Sequence, residues 1–199
     1  MRIAKLFDVK KFALISKAID CSIMEVEYPW RFDRMIFILD DCSFFKIKDE
    51  GIEIHVEYSL STEEDERYVR AAVMRLLFSV VCELKGLSTG ITVVDEILSS
   101  REMAKQHEDD IFHYYYRKLH SKNAVNTFDK YVELNASWLS TGGYDSQVLR
   151  EIADKKTSSE HRKTFQRKAK KLFELLAGDL TREKSARQAV KWYRKKLSD

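Results

Sequence analysis

The chain has 199 residues, 44% apolar and 34% charged, as in an ordinary globular protein, and its one proline and six glycines argue against a loop-dominated or all-β fold. A length of this order suits one domain, or one domain with a small appendage. The formal charge of +3 hides a basic end: residues 151–199 hold 15 Lys and Arg against 7 Asp and Glu, which points to an anionic partner there.

The first residues are basic, but their apolar run is broken and no small-residue cleavage site follows, so no signal peptide is expected. Residues 9–19 place Val9, Phe12, Ala13, Ile15 and Ile19 near helical spacing and predict a short first helix. From residue 22 to 27 the pattern turns towards a strand, and Pro29 disfavours helix at Tyr28. Residues 35–39 read as a buried strand that ends at Asp40 and Asp41. The clearest β signal spans 43–60. Phe45 and Ile47 alternate with Lys46 and Lys48, and past the turn at Asp49, Glu50 and Gly51 the residues Ile52, Ile54, Val56 and Tyr58 alternate with Glu53, His55 and Glu57. That is an antiparallel hairpin with one face on a core and one in water.

Residues 67–85 form the stretch that other elements must cover. Val69, Ala71, Ala72, Val73, Met74, Leu76, Leu77, Phe78, Val80, Val81, Cys82 and Leu84 lie on almost every side of one helix. Arg75, Ser79 and Glu83 leave one narrow polar stripe. Ser61 and Glu64 have capping-box spacing before it, and Gly86 closes it. With Arg70 and Arg75 inside, the stretch is too short and too charged for a membrane span.

The remainder reads as helical. Residues 91–98 fit either a strand or a short helix, and a helix is expected from Ser99 to about His120. Further helices are expected over 125–139, over 144–152 after the break at Thr141, Gly142 and Gly143, and from the capping pattern at Thr157 and Glu160 onward. The helix that opens there carries an apolar line at Phe165, Ala169, Leu172, Phe173 and Leu176, and Gly178 ends it. A last helix over 181–197 aligns Ala186, Ala189, Val190, Tyr193 and Leu197. The fold class is therefore α+β, a small antiparallel β-hairpin unit packed on a mainly helical bundle. A soft boundary falls near residue 60, between a β-rich part (1–60) and a helical part (61–199). The three cysteines, Cys21, Cys42 and Cys82, are odd in number and lie in or beside apolar segments, so reduced thiols and a cytoplasmic location are expected.

The best functional lead is the last helix pair. Arg162, Lys163, Arg167, Lys170 and Lys171 lie opposite the apolar line of the first helix. Arg182, Lys184, Arg187, Lys191, Arg194, Lys195 and Lys196 flank or oppose that of the second. Two amphipathic helices joined by Gly178, Asp179 and Leu180 have the outline of a helix-turn-helix, whose basic helices can meet phosphate and enter a groove. The competing reading is a helical hairpin with a solvated basic face, or one that meets an acidic protein. The expectation is a non-catalytic protein that binds DNA or RNA through Arg162, Lys163, Arg167, Lys170, Lys171, Arg182, Arg187, Lys191, Arg194 and Lys195. An adaptor subunit of a larger protein assembly is the third class.

Residues 107–120 supply the enzyme alternative. Asp109, His113, Arg117 and His120 fall roughly on one helical face, and a histidine flanked by carboxylate and arginine can cleave RNA without metal. Upstream, Arg101 and His107 have five residues between them, a spacing similar to the Arg-x(4–6)-His signature of a helical ribonuclease superfamily of toxin–antitoxin and phage-defence systems. The likeness rests on those two residues and a helical context, and no family is assigned on it. Asp40 and Asp41 with Glu53 and Glu57 could hold a divalent cation, but His55 stands where a lysine would be wanted. No nucleotide-loop, dinucleotide, nucleophile-elbow, CxxC or HExxH motif occurs. No cofactor, metal or catalytic set is therefore assigned.

Overall fold

The first strand is one that the hydrophobic pattern does not announce. In a computed structural model of the chain, β1 (Arg2–Lys5) pairs in parallel with β2 (Arg34–Asp40), and β2 pairs in parallel with β4 (Gly51–Glu57). β3 (Phe44–Lys48) lies antiparallel to β4 and closes the order β1-β2-β4-β3. The structure describes residues 1–121, 125, 127–136, 143–177 and 182–197, and among these the side chains of 143–146, 177, 182–186 and 196–197 lie outside the description. The α+β class holds, and the expected hairpin is present as one half of a mixed four-stranded sheet.

β4 is an inner strand with both edges paired; Ile52, Ile54 and Val56 are buried on one face, and on the other His55 is buried beneath Phe44 while Glu53 and Glu57 are half-buried. His55 was expected in water beside Glu53 and Glu57. It is buried instead, because Phe44 of β3 stacks on its ring and Asp40 of β2 bonds it. Gly51 opens β4 opposite Arg34 on β2, and a Cβ there would overlap the Arg34 carbonyl oxygen. This close approach requires glycine.

The first helix, α1 (Ala13–Glu25), runs on through residues expected to begin a strand. Ser22 is buried and donates to the Arg70 carbonyl, while Lys17 meets Glu66 and Arg70 meets Glu25. These contacts hold α1 beside α2 (Glu66–Leu84). Lys5, at the end of β1, reaches the Ser16 carbonyl and the Asp20 carboxylate and ties that strand to α1.

α2 occupies the span expected for it. Val69, Ala71, Val73, Met74, Leu76, Leu77, Phe78, Val80, Val81 and Cys82 are all buried. Its cap differs from the expected Ser61 and Glu64 pair. Asp65 accepts from the Tyr68 amide at 3.0 Å, while Ser61 belongs to a 3-10 turn (Tyr58–Thr62) that also ends the sheet sooner than expected. Gly86 terminates α2 at a φ of 66°, with the Leu87 amide donating to the Cys82 carbonyl. The chain forms two compact units, Met1–Val81 and Cys82–Asp199, so the division falls in the last turn of α2, whereas the sequence pattern changes near residue 60.

The described residues of the second unit form helices joined by turns, with one isolated parallel bridge between Val125 and Thr157. The helices are α3 (Thr92–Ala104), α4 (Glu108–Ser121), α5 (Phe128–Asn135), α6 (Gly143–Lys156), α7 (Ser159–Ala177) and α8 (Arg182–Leu197). The single helix expected from Ser99 to His120 is two. Ser99 and Ser100 are buried inside α3, which ends where the Gln106 and His107 amides both bond the Met103 carbonyl. Glu108, Asp109 and Asp110 then open α4 at the positive end of its dipole. The expected helix over 125–139 is described as α5, capped by Thr127, while Trp138 and Leu139 and the break at Thr141 and Gly142 lie outside the described residues. Thr157 does not cap α7. Its hydroxyl turns back to the Ala153 carbonyl, and Ser158 faces His161 instead. Phe165, Ala169, Leu172, Phe173 and Leu176 are buried along α7, the line read from the sequence. Among the described residues no helix is long and apolar enough to cross a membrane.

Candidate nucleic-acid interface

Helical spacing decides which basic residues reach solvent. Once α7 buries Phe165, Ala169, Leu172, Phe173 and Leu176, the residues between them must point away, and Lys163, Arg167, Lys170 and Lys171 are exposed. The same holds on α8, which packs on α7 and α3. Ala189 and Tyr193 are buried, and Arg187, Lys191, Arg194 and Lys195 are exposed. Lys171 shares its charge with Glu174, 3.8 Å away.

Arg162 departs from the expected set. It is half-buried and donates to the Thr157 carbonyl at 3.0 Å, so its guanidinium closes the start of α7. The side chains of Arg182, Lys184, Ala186, Lys196 and Leu197 lie outside the described residues, as does the expected break at Gly178, Asp179 and Leu180.

Three of the exposed α8 cations share a concavity that the sequence does not predict. Arg187, Lys191 and Arg194 face the turn formed by Gly86, Leu87, Ser88 and Thr89 across a pocket of about 600 Å³. That turn is fixed by one carboxylate. Asp95 accepts from the Thr89 amide and hydroxyl, both at 2.7 Å, from the Gly90 amide at 3.1 Å and from the Ser88 hydroxyl at 3.3 Å. Gly90 permits the turn with a φ of 72°.

A second pocket, also about 600 Å³, carries the opposite charge. Glu96, Asp129 and Glu133 line it together with Tyr193, and Arg194 belongs to both pockets. Tyr193 donates its hydroxyl to Asp129, and Tyr115 donates to Glu96 at 2.9 Å. Glu133 pairs with Lys118. Burial, and then the bond to Asp129, pushes the ionisation of Tyr193 well above the usual tyrosine range.

The ribonuclease candidates are placed as follows. On α4, Asp109, Arg117 and His120 are exposed and His113 is half-buried. The His120 ring packs on Tyr116 at 4.4 Å, and Tyr116 packs on Phe112 at 5.9 Å, so an aromatic row lies on this helix. Arg101 sits in α3 and donates to the Leu176 carbonyl near the end of α7, while His107 lies in the turn before α4. A guanidinium at that position acts as a helix C-cap.

In the first unit, two side chains fifteen positions apart in the sequence form a pair. Asp40 Oδ2 lies 2.8 Å from His55 Nδ1, and Phe44 stacks on the imidazole at 4.0 Å. The Asp41 amide first, and the His55 ring second, hold the Asp40 carboxyl below its usual range. Glu53 pairs with Lys48, and Glu57 accepts from Ser59. Of the four carboxylates considered for a cation, Asp40, Glu53 and Glu57 thus have separate partners, although Asp40 and Glu57 are neighbours in the β2–β4 register. Among the described residues no three His, Cys, Asp or Glu side chains gather as a metal site. The pairing of Asp40 with His55 needs the parallel β2–β4 register, which no local pattern reveals. Cys82 is buried, and desolvation with Glu102 nearby pushes its thiol up to about 12.

No family model matches the chain, and no curated protein or solved structure matches it.

Proposed function

We propose that the protein binds nucleic acid through the solvent side of α7 and α8. The observation that carries this reading is the exposure of Lys163, Arg167, Lys170 and Lys171 on one helix and Arg187, Lys191, Arg194 and Lys195 on the helix packed against it. Eight cations on two adjoining helices raise the local potential by several kT and attract a polyanion. Phosphate contacts of this kind release condensed counterions, so affinity falls linearly with the logarithm of salt concentration.

Anisotropy titrations with labelled duplex and single-stranded oligonucleotides at two salt concentrations test the reading. Binding that weakens steeply with salt supports it. A protein that fails to bind either form at low salt overturns it and leaves the basic surface to solvent or to an acidic protein. Cleavage of an RNA substrate, abolished by His113→Ala and Arg117→Ala but not by a chelator, would move the function to α4 instead.

A further inference from the structure

We infer that the two pockets flanking Arg194 together form a seat for a nucleotide phosphomonoester, so that the protein recognises a phosphorylated strand end rather than only the backbone. This inference rests on the nucleic-acid reading above and names the group that its α8 face prefers. Arg187, Lys191 and Arg194 occur at i, i+4 and i+7, a single stripe about 10 Å long on the helix. They line one concavity, whereas cations that track a backbone would spread along a groove. An internal phosphodiester carries one negative charge. A phosphomonoester, with its second ionisation near pH 6, carries about 1.5 to 2 at neutral pH and has three strong acceptor oxygens. Three cations in one pocket match the second kind of group better than the first.

The opposite wall is rigid, because Asp95 binds the turn through four hydrogen bonds. The pocket volume of about 600 Å³ is of the size that small ligands occupy. The neighbouring pocket fixes the orientation of the ligand. Glu96, Asp129 and Glu133 repel phosphate but can accept from sugar hydroxyls and base amino groups, all of which are donors. Arg194 lies where the two charges meet. A bound nucleotide therefore points its phosphate to α8 and its nucleoside to the carboxylates.

The test compares strands identical in sequence that end in a 5′-phosphate, a 3′-phosphate or hydroxyls only, together with free AMP, adenosine and inorganic phosphate. A terminal phosphate on either end should tighten binding on the order of tenfold, as charge-assisted hydrogen bonds do. Lys191→Ala and Arg187→Ala should remove that gain, whereas Lys163→Ala with Lys170→Ala should weaken all strands alike and preserve it. AMP binding that exceeds inorganic phosphate supports a role for the carboxylate pocket. AMP binding with no strand bound at all would keep the seat, assign it to free nucleotide and overturn the nucleic-acid reading alone. Equal affinity for phosphorylated and hydroxyl ends, with tight binding to both, overturns this inference and leaves the nucleic-acid reading standing. Loss of the end preference through the α7 pair would overturn it equally.

Discussion

Asp40 Oδ2 and His55 Nδ1 lie 2.8 Å apart and join the last residue of β2 to the interior of its parallel neighbour β4. Phe44 from the antiparallel strand covers the imidazole, so three strands meet at one side-chain cluster. The cluster binds the sheet through side chains where its ladder turns from parallel to antiparallel.

The Asp40 carboxylate makes stability depend on acid. The Asp41 amide and the His55 ring lower the Asp40 pKa in the folded chain relative to an unfolded value of about 3.9. A depressed carboxyl contributes its stability above the unfolded value, and the contribution is lost as pH falls through the folded one. Thermal melts taken from pH 5 downward should therefore show the wild type losing more stability than Asp40→Asn. Parallel curves for the two proteins would show that the Asp40 carboxylate contributes nothing.

Gly51→Ala tests the parallel register itself. The added methyl must displace the Arg34 carbonyl oxygen of β2, which is main chain and cannot swing aside. The substitution should lower the melting temperature and speed amide exchange in β2 and β4 more than in α7. A variant as stable as the wild type would mean that these strands pair differently.

Leu77→Ala addresses the helix that is easiest to read. Leu77 is wholly buried in α2, and its truncation leaves a cavity that costs about 2–5 kcal/mol. Urea melts measure that loss directly. An unchanged midpoint would mean that α2 is not packed as described.

What the sequence made legible follows from how locally each feature is determined. α2 was readable because apolar residues on nearly all sides of one helix need no partner to be recognised, and the Phe165 to Leu176 line of α7 follows from helical period alone. β1 was missed because four residues, Arg-Ile-Ala-Lys, become a strand only by pairing with β2 some thirty positions on. Ser22 misled for a related reason: its burial beside Arg70 replaces the apolar residue that helical spacing would want. The exposed cations of α7 and α8 were legible, but the pocket that gathers Arg187, Lys191 and Arg194 was not. Its other wall is the turn after α2, and only tertiary packing brings that turn to α8.

Tyr193 offers a check on the carboxylate pocket. Burial and Asp129 raise its ionisation above the unfolded value of about 10. The neutral phenol thus contributes stability that is complete below that value and is lost as pH rises past it. In an alkaline titration followed by phenolate absorbance, Tyr193→Phe should remove amplitude only from the most alkaline part of the curve. Loss of amplitude near pH 10 would place Tyr193 in solvent.

The final prediction separates the two helices of the basic face. Replacing Lys163, Arg167, Lys170 and Lys171 with alanine removes only exposed charge from α7. Binding should weaken by a similar factor for every duplex and single strand, and the slope against log salt should flatten by roughly one unit for each phosphate deprived of its cation. Replacing Arg187, Lys191 and Arg194 removes the same kind of charge from a concave site. Counterion release predicts a comparable flattening, but a pocket adds a second effect that a flat surface cannot: the ranking of ligands should change as well. The contrast is read from gel shifts of both variants at two salt concentrations over one panel of strands. If the α8 variant lowers all affinities in proportion, as the α7 variant does, α8 is an extension of a uniform basic surface. If only the α8 variant reorders the panel, discrimination resides at Arg187, Lys191 and Arg194, and α7 supplies attraction alone.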